Sequence, residues 1–110
     1  MEDLNIITNS NENLSHALEG LYNVYDPEIG LNIVDLGLVY EVYFDEERTT
    51  LQCIMTLTSQ FCPMGEAITT DTNNSLTGSF PGWKVQVDLT FDPPWDVTKI
   101  SATGKEYLGQ

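Results

Sequence analysis

The sequence predicts an α/β (α+β) fold, a small two-layer sandwich with helices packed on a three- to four-stranded mixed sheet, on the strength of three patterns. Apolar residues recur at helical spacing over 14–21, and two alternating runs flank a polar turn at 45–49. A third alternating run, at 83–91, follows a second helical stretch. The expected order is helix, strand, strand, helix, strand and short helix.

Residues 1–12 are polar and acidic and read as a flexible arm. Asn9 with Glu12 can cap the first helix reciprocally, and Asn11 or Asn13 can also start it. Leu14, Ala17, Leu18 and Leu21, joined by Tyr22, form one apolar stripe, and His16 falls off it toward solvent. Pro27 and Gly30 then force a turn at Tyr25-Asp26-Pro27-Glu28-Ile29-Gly30. Asp26 and Glu28 suit an acid/base pair, a hard-metal site or plain turn chemistry, and turn chemistry is favoured.

Leu38, Tyr40, Val42 and Phe44 alternate with Val39, Glu41, Tyr43 and Asp45, a strand with both faces partly apolar. After the turn, 51–58 alternates again, so the two should pair as an antiparallel hairpin with Cys53 on its apolar side as a structural residue. Met64, Ala67, Ile68, Ser75 and Leu76 give the next helix a modest inward face, disturbed by Asp71 and Thr72. Trp83, Val85, Val87, Leu89 and Phe91 predict a core-facing strand. The helical crossover is long enough to lay that strand parallel to the one at 51–58, by a right-handed connection. Asp92-Pro93-Pro94-Trp95 stops it and holds Trp95 in a stiff loop, as a packing lid or as a partner-binding wall. Asp96 or Ser101 can cap the last helix, with Ile100, Tyr107 and Leu108 as its apolar contacts.

Composition narrows the classes of function. A chain of 110 residues with 41% hydrophobic and 19% charged residues is one globular domain. Four Lys and Arg against 17 Asp and Glu give a net charge of -13, which argues against nucleic acid and anionic membrane and favours basic protein surfaces. Two cysteines with no CxxC fit a reduced setting. No basic segment leads an apolar run at the N-terminus, and no apolar stretch approaches the ~20 residues that cross a bilayer, so a cytoplasmic protein is expected.

The stretch from Thr56 to Glu66 concentrates the chemistry. With Pro63 as the first helical residue, Cys62 falls at or beside a helix N-cap, where unpaired N–H groups and the helix dipole favour a thiolate. Thr58 and Ser59 carry hydroxyls toward the same place. One such cysteine and a single histidine cannot close a zinc site, so a soft metal on Cys62 must share ligands with a second protomer, a partner or a small thiol. Ligation by two Cys62 thiols implies a symmetric homodimer. A base for covalent catalysis is poorly supplied, and GxGxxG, P-loop and GxSxG motifs are absent, so no nucleotide or organic cofactor is expected.

Asp26-Pro27-Glu28-Ile29, the run from Asn32 to Val39, Thr58 through Cys62-Pro63, and Asp92-Pro93-Pro94-Trp95 resemble, in order and spacing, the small domain of iron–sulfur cluster assembly factors related to PaaD and SufT, the metal-sulfur cluster biosynthesis family. The likeness spans about residues 13–109 and implies a single assembly-type domain over 13–110. It further implies a functional pocket of Asp26, Glu28, Asp35, Thr58 and Cys62, with Ser59 where relatives often carry a second threonine. Cys62 is the reactive or ligating group that the resemblance implies. The expected function is a non-enzymatic accessory role in iron–sulfur cluster assembly. Cys62 would hold a transient cluster or iron, or the chain would couple assembly proteins to client apoproteins. A small thiol-dependent transferase and a non-catalytic interaction adaptor built on Trp95 are the alternatives.

Overall fold

A computed structural model describes residues 5–61 and 63–109. Strands β1 (Ile7–Thr8), β4 (Val39–Asp45), β5 (Thr50–Met55) and β6 (Lys84–Leu89) form one sheet in the order β1-β4-β5-β6. Strands β2 (Tyr25–Asp26) and β3 (Leu31–Asn32) make a small separate hairpin. Helices α1 (Asn11–Leu21), α2 (Gly65–Ser79) and α3 (Ala102–Tyr107) complete the fold, with a 3₁₀ turn at Val97–Lys99. The α/β class and mixed sheet are as predicted. β4 and β5 are antiparallel, and β6 runs parallel to β5 across the α2 crossover.

The core lies between the sheet and the helices. Val42 and Phe44 from β4, and Leu51, Cys53 and Met55 from β5, face Ala17, Leu18 and Leu21 of α1 and Ile68 and Leu76 of α2. Ile33, Val34, Leu36 and Leu38 enter from the irregular chain between β3 and β4, each worth about 1.5–3 kcal/mol when fully buried. Their backbone needs partners of its own. Ile33 N–H donates to Val24 O at 2.9 Å, and Leu38 N–H to Ile33 O at 3.0 Å. An extra residue, Tyr40, bulges β4 between Val39 and Glu41, so Leu38 and Val39 are both buried instead of alternating.

Of the stretch read as a flexible arm, residues 1–4 lie outside the described residues, while residues 7–8 and 11–12 belong to β1 and α1. Ile7 and Thr8 pair in parallel with Glu41 and Val42. Asn9 behaves as one more strand residue, its amide donating to Phe44 O and its carbonyl accepting from Phe44 N–H, both at 2.9 Å. Asn9 is therefore spent on the sheet, and Ser10 caps α1 by accepting from Asn13 N–H at 3.2 Å. Tyr22, at the end of the stripe, is 36% exposed. Gly20 permits close packing of α1 on α2, since a Cβ there would sit 2.6 Å from Ser75 Oγ.

Helix α2 begins two residues beyond Pro63, with Met64 as an N-cap that makes no side-chain bond. Its buried stripe is Gly65, Ile68, Thr72 and Leu76, while Met64 and Ala67 are exposed. Thr72 belongs to the stripe because its hydroxyl donates to Ile68 O at 2.8 Å, leaving only the methyl to pack. Toward its end β6 departs from the expected core strand, with Leu89 at 44% and Phe91 at 38% exposure. β6 is an edge strand, covered on one side only. Of the two caps considered for the last helix, Ser101 caps α3 and Asp96 caps the separate 3₁₀ turn before it. Ile100 is buried, but Tyr107 faces solvent.

Candidate functional site

The turn between β5 and α2 is held shut at its base. Thr56 N–H donates to Leu38 O at 2.8 Å, and Leu57 is buried against Gly65, where a Cβ would lie 2.6 Å from Leu57 Cδ1. With strand end and helix start pinned, Ser59, Gln60, Phe61, Pro63 and Met64 are exposed. Thr58 is half-buried and Ser59 exposed, its Oγ accepting from Phe61 N–H at 3.1 Å in a local turn. Phe61 is 84% exposed, which is extreme for an aromatic side chain in a fixed turn.

Across a shallow cleft stands the segment after β6. Residues 57–61 form one wall, and Phe91, Pro94 and Trp95 form the other. Trp95 is anchored by its indole N–H, which donates to Leu36 O at 2.6 Å. Tyr40 Oη donates to Pro93 O at 3.0 Å and fixes the diproline. Trp95 thus packs as a lid over the loop at Leu36 and also lines the cleft.

The candidate carboxylates take other places. Asp26 is buried, and its Oδ1 accepts from Glu28 N–H at 2.9 Å and Ile29 N–H at 3.3 Å, the turn chemistry favoured from sequence. Glu28 lies on the exposed outside of that turn. Asp35 is buried at a junction, accepting from Asn32 Nδ2 and from Ser101 Oγ, both at 2.6 Å. Asp35 also donates its own N–H to Asn32 Oδ1 at 2.8 Å and accepts Ser101 N–H at its carbonyl, again at 2.8 Å. Of the six predicted pocket residues, Thr58 and Ser59 therefore share the cleft, and Asp35 supports it through the adjoining Leu36. Asp26 and Glu28 belong to the β2–β3 turn. Cys62 lies outside the described residues.

Among the described residues, no three His, Cys, Asp or Glu side chains converge as a metal site. Cys53 is buried between β4 and β6, and burial, with Asp88 as a lesser cause, pushes its thiol up to about 12. Cys53 is an inert packing residue. His16 is bound on both ring nitrogens, to Ser79 O at 2.8 Å and Glu19 Oε2 at 3.2 Å, and its ring meets Phe80 edge-on, so it ties α1 to the end of α2.

Sequence reasoning passed over Phe61 and Phe91 as site residues. The available signal was an aromatic in a polar turn, at Phe61, and an apolar position at the frayed end of an edge strand, at Phe91.

Residues 15–89 match the family model described as iron-sulfur cluster assembly protein. The chain is 40% identical over 98 residues to the Fe-S protein maturation auxiliary factor YitW of Bacillus subtilis (strain 168), covering 89% of this chain and 92% of that protein. It is also 40% identical over 86 residues to the Fe-S protein maturation auxiliary factor SufT of Staphylococcus aureus (strain USA300), covering 78% and 97%. A crystal structure of a domain of unknown function from Bacillus anthracis superposes with a TM-score of 0.80 at 36% identity, covering 86% of this chain and 90% of that one.

Proposed function

The chain belongs to the iron–sulfur cluster assembly protein family, and from that premise we propose that it is an accessory factor in iron–sulfur protein maturation, meeting its partners at the turn between β5 and α2. The observation that carries the choice of surface is Phe61, held 84% exposed by a turn whose base is locked by Leu57 and Gly65. A fixed aromatic in solvent, beside Phe91 and Trp95, costs solubility and is repaid by burial in a partner interface.

In this reading Cys62, adjoining Phe61 in the chain, supplies the thiolate that holds iron or a transient cluster as cargo. The remaining ligands come from a partner or a second copy, because Cys53 is fully buried in the core. The role is one of holding and handing over, without a catalysed reaction, in the cytoplasm. The partners are the assembly proteins on one side and client apoproteins on the other. The net charge of -13 favours partners with basic contact surfaces.

Anaerobic reconstitution with iron and sulfide tests the cargo step. Wild type should acquire visible absorbance that Cys62→Ala lacks, whereas Phe61→Ala should keep the absorbance but pass its cluster to an apo-ferredoxin more slowly. Indistinguishable spectra for wild type and Cys62→Ala would refute ligation through Cys62. Transfer from Phe61→Ala at the wild-type rate would remove Phe61 from the contact.

A further inference from the structure

The two edges of the sheet are treated differently. At one, β1 is only two residues long and Asn9 closes the ladder on Phe44. At the other, β6 runs six residues with no further strand beside it among the described residues. Its parallel register with β5 assigns its backbone groups. Lys84 N–H donates to Thr49 O and Thr90 N–H to Met55 O, both at 2.8 Å, so the even-numbered residues face β5. Val85, Val87 and Leu89 point their N–H and C=O outward. An edge of this kind is a template for another strand unless something blunts it.

The sequence along this edge is self-complementary. From Trp83 it reads Trp-Lys-Val-Gln-Val-Asp-Leu, symmetric in chemical kind about Gln86 with the charge reversed. We propose that two copies of the chain associate through β6, antiparallel about a two-fold axis at Gln86, joining their sheets into one. Lys84 then lies opposite Asp88 of the second copy, Val85 opposite its Val87, and Trp83 opposite its Leu89. The parity is also right. The outward-facing Val85 and Val87 become the hydrogen-bonded pairs, and Lys84 and Asp88 fall in the non-bonded positions, where side chains across the ladder come closest.

Single-sign charges on an edge strand repel a second copy, but here opposite signs sit equidistant from the axis and attract one. Leu89, at 44% exposure, gains cover from the second copy's Trp83. Beside the edge, Thr69, Thr70, Asn73 and Asn74 line a groove with Val87, and their short polar side chains leave room for the second copy's α2. The proposal is independent of Cys62 and of the cargo reading.

Sedimentation velocity of the full chain, from low micromolar to near-millimolar concentration, gives the test. Wild type should reach twice the 12.3 kDa chain mass. Lys84→Asp and Asp88→Lys each place like charges in both symmetric pairs, and each should raise the dissociation constant at least about tenfold. Mixing the two variants in equal amounts should restore a dimer, because each supplies the charge the other needs. Val87→Pro removes an outward donor without touching the β5 ladder and should also give a monomer, while its thermal unfolding shows that the fold persists. A wild type that stays monomeric throughout overturns the proposal. So does a dimer that survives Lys84→Asp and Val87→Pro, or one that is lost in Cys62→Ala.

Discussion

Replacing Asp35 by alanine removes the acceptor on which two distant parts of the chain converge. Asn32 Nδ2 and Ser101 Oγ, each 2.6 Å from the carboxylate, lose their partner together. Asn32 is buried and cannot recover the bond from water, so its share is about 2 kcal/mol, within the range for a hydrogen bond to a charged acceptor. Ser101 is half-buried and keeps its capping contact with Gly104 N–H at 3.0 Å, so its share is nearer about 1 kcal/mol. The sum, about 3 kcal/mol, corresponds to a fall in Tm of roughly 12–15 °C for a domain of this size. Urea unfolding followed by tryptophan fluorescence measures it, since Trp95 is bonded to the neighbouring Leu36. Ser101→Ala in a double-mutant cycle should show coupling of about 1 kcal/mol with Asp35→Ala. A loss below about 1 kcal/mol for Asp35→Ala, additive with Ser101→Ala, would refute the assignment of Asp35 as a structural junction and return it to the functional surface.

Two further changes probe separate parts of the structure. Gly37→Ala places a Cβ 2.2 Å from Lys99 O at a φ of +79°, so it should cost about 2 kcal/mol or more and loosen the segment carrying Trp95, as read by thermal unfolding. Cys53 predicts a pH signature. Its thiol is raised from 9.0 to about 12, so the native state holds the proton that the unfolded chain releases, and stability present below pH 9 is lost as pH rises toward 12. Wild type should therefore lose stability over that window more steeply than Cys53→Ala. Native Cys62→Ala should resist iodoacetamide at pH 8, and rapid labelling there would place Cys53 nearer solvent than its burial allows.

The β4–β5 hairpin and the parallel placement of β6 were legible because alternation is a local signal and a helical crossover has a minimum length. β1 was not, because two residues cannot display a period, and its pairing depends on Asn9 reaching Phe44, 35 residues away. Asn9, Asn11 and Asn13 were the caps expected for α1, and Ser10 took the place because the sheet holds Asn9. The start of α2 was misjudged by two residues, since Pro63 suits a first helical position while the contact of Gly65 with Leu57 sets the actual one. At the candidate site, Asp26 could be read as a turn residue from Pro27 and Gly30 alone. Asp35 could not be read as a junction, because Ser101 is 66 positions away and nothing between them announces the bond.

That long-range bond also bears on the order in which the molecule comes together. β4 and β5 meet through a turn of a few residues and can pair early, whereas Asp35 and Ser101 close a loop that contains the hairpin, α2 and β6. Closure of that loop therefore comes after the hairpin has paired. Trp95 and the diproline lie within it and form one wall of the cleft facing Phe61. That wall is set by the bonds of Trp95 to Leu36 and of Pro93 to Tyr40, which reach across 59 and 53 positions and form only on a hairpin already paired.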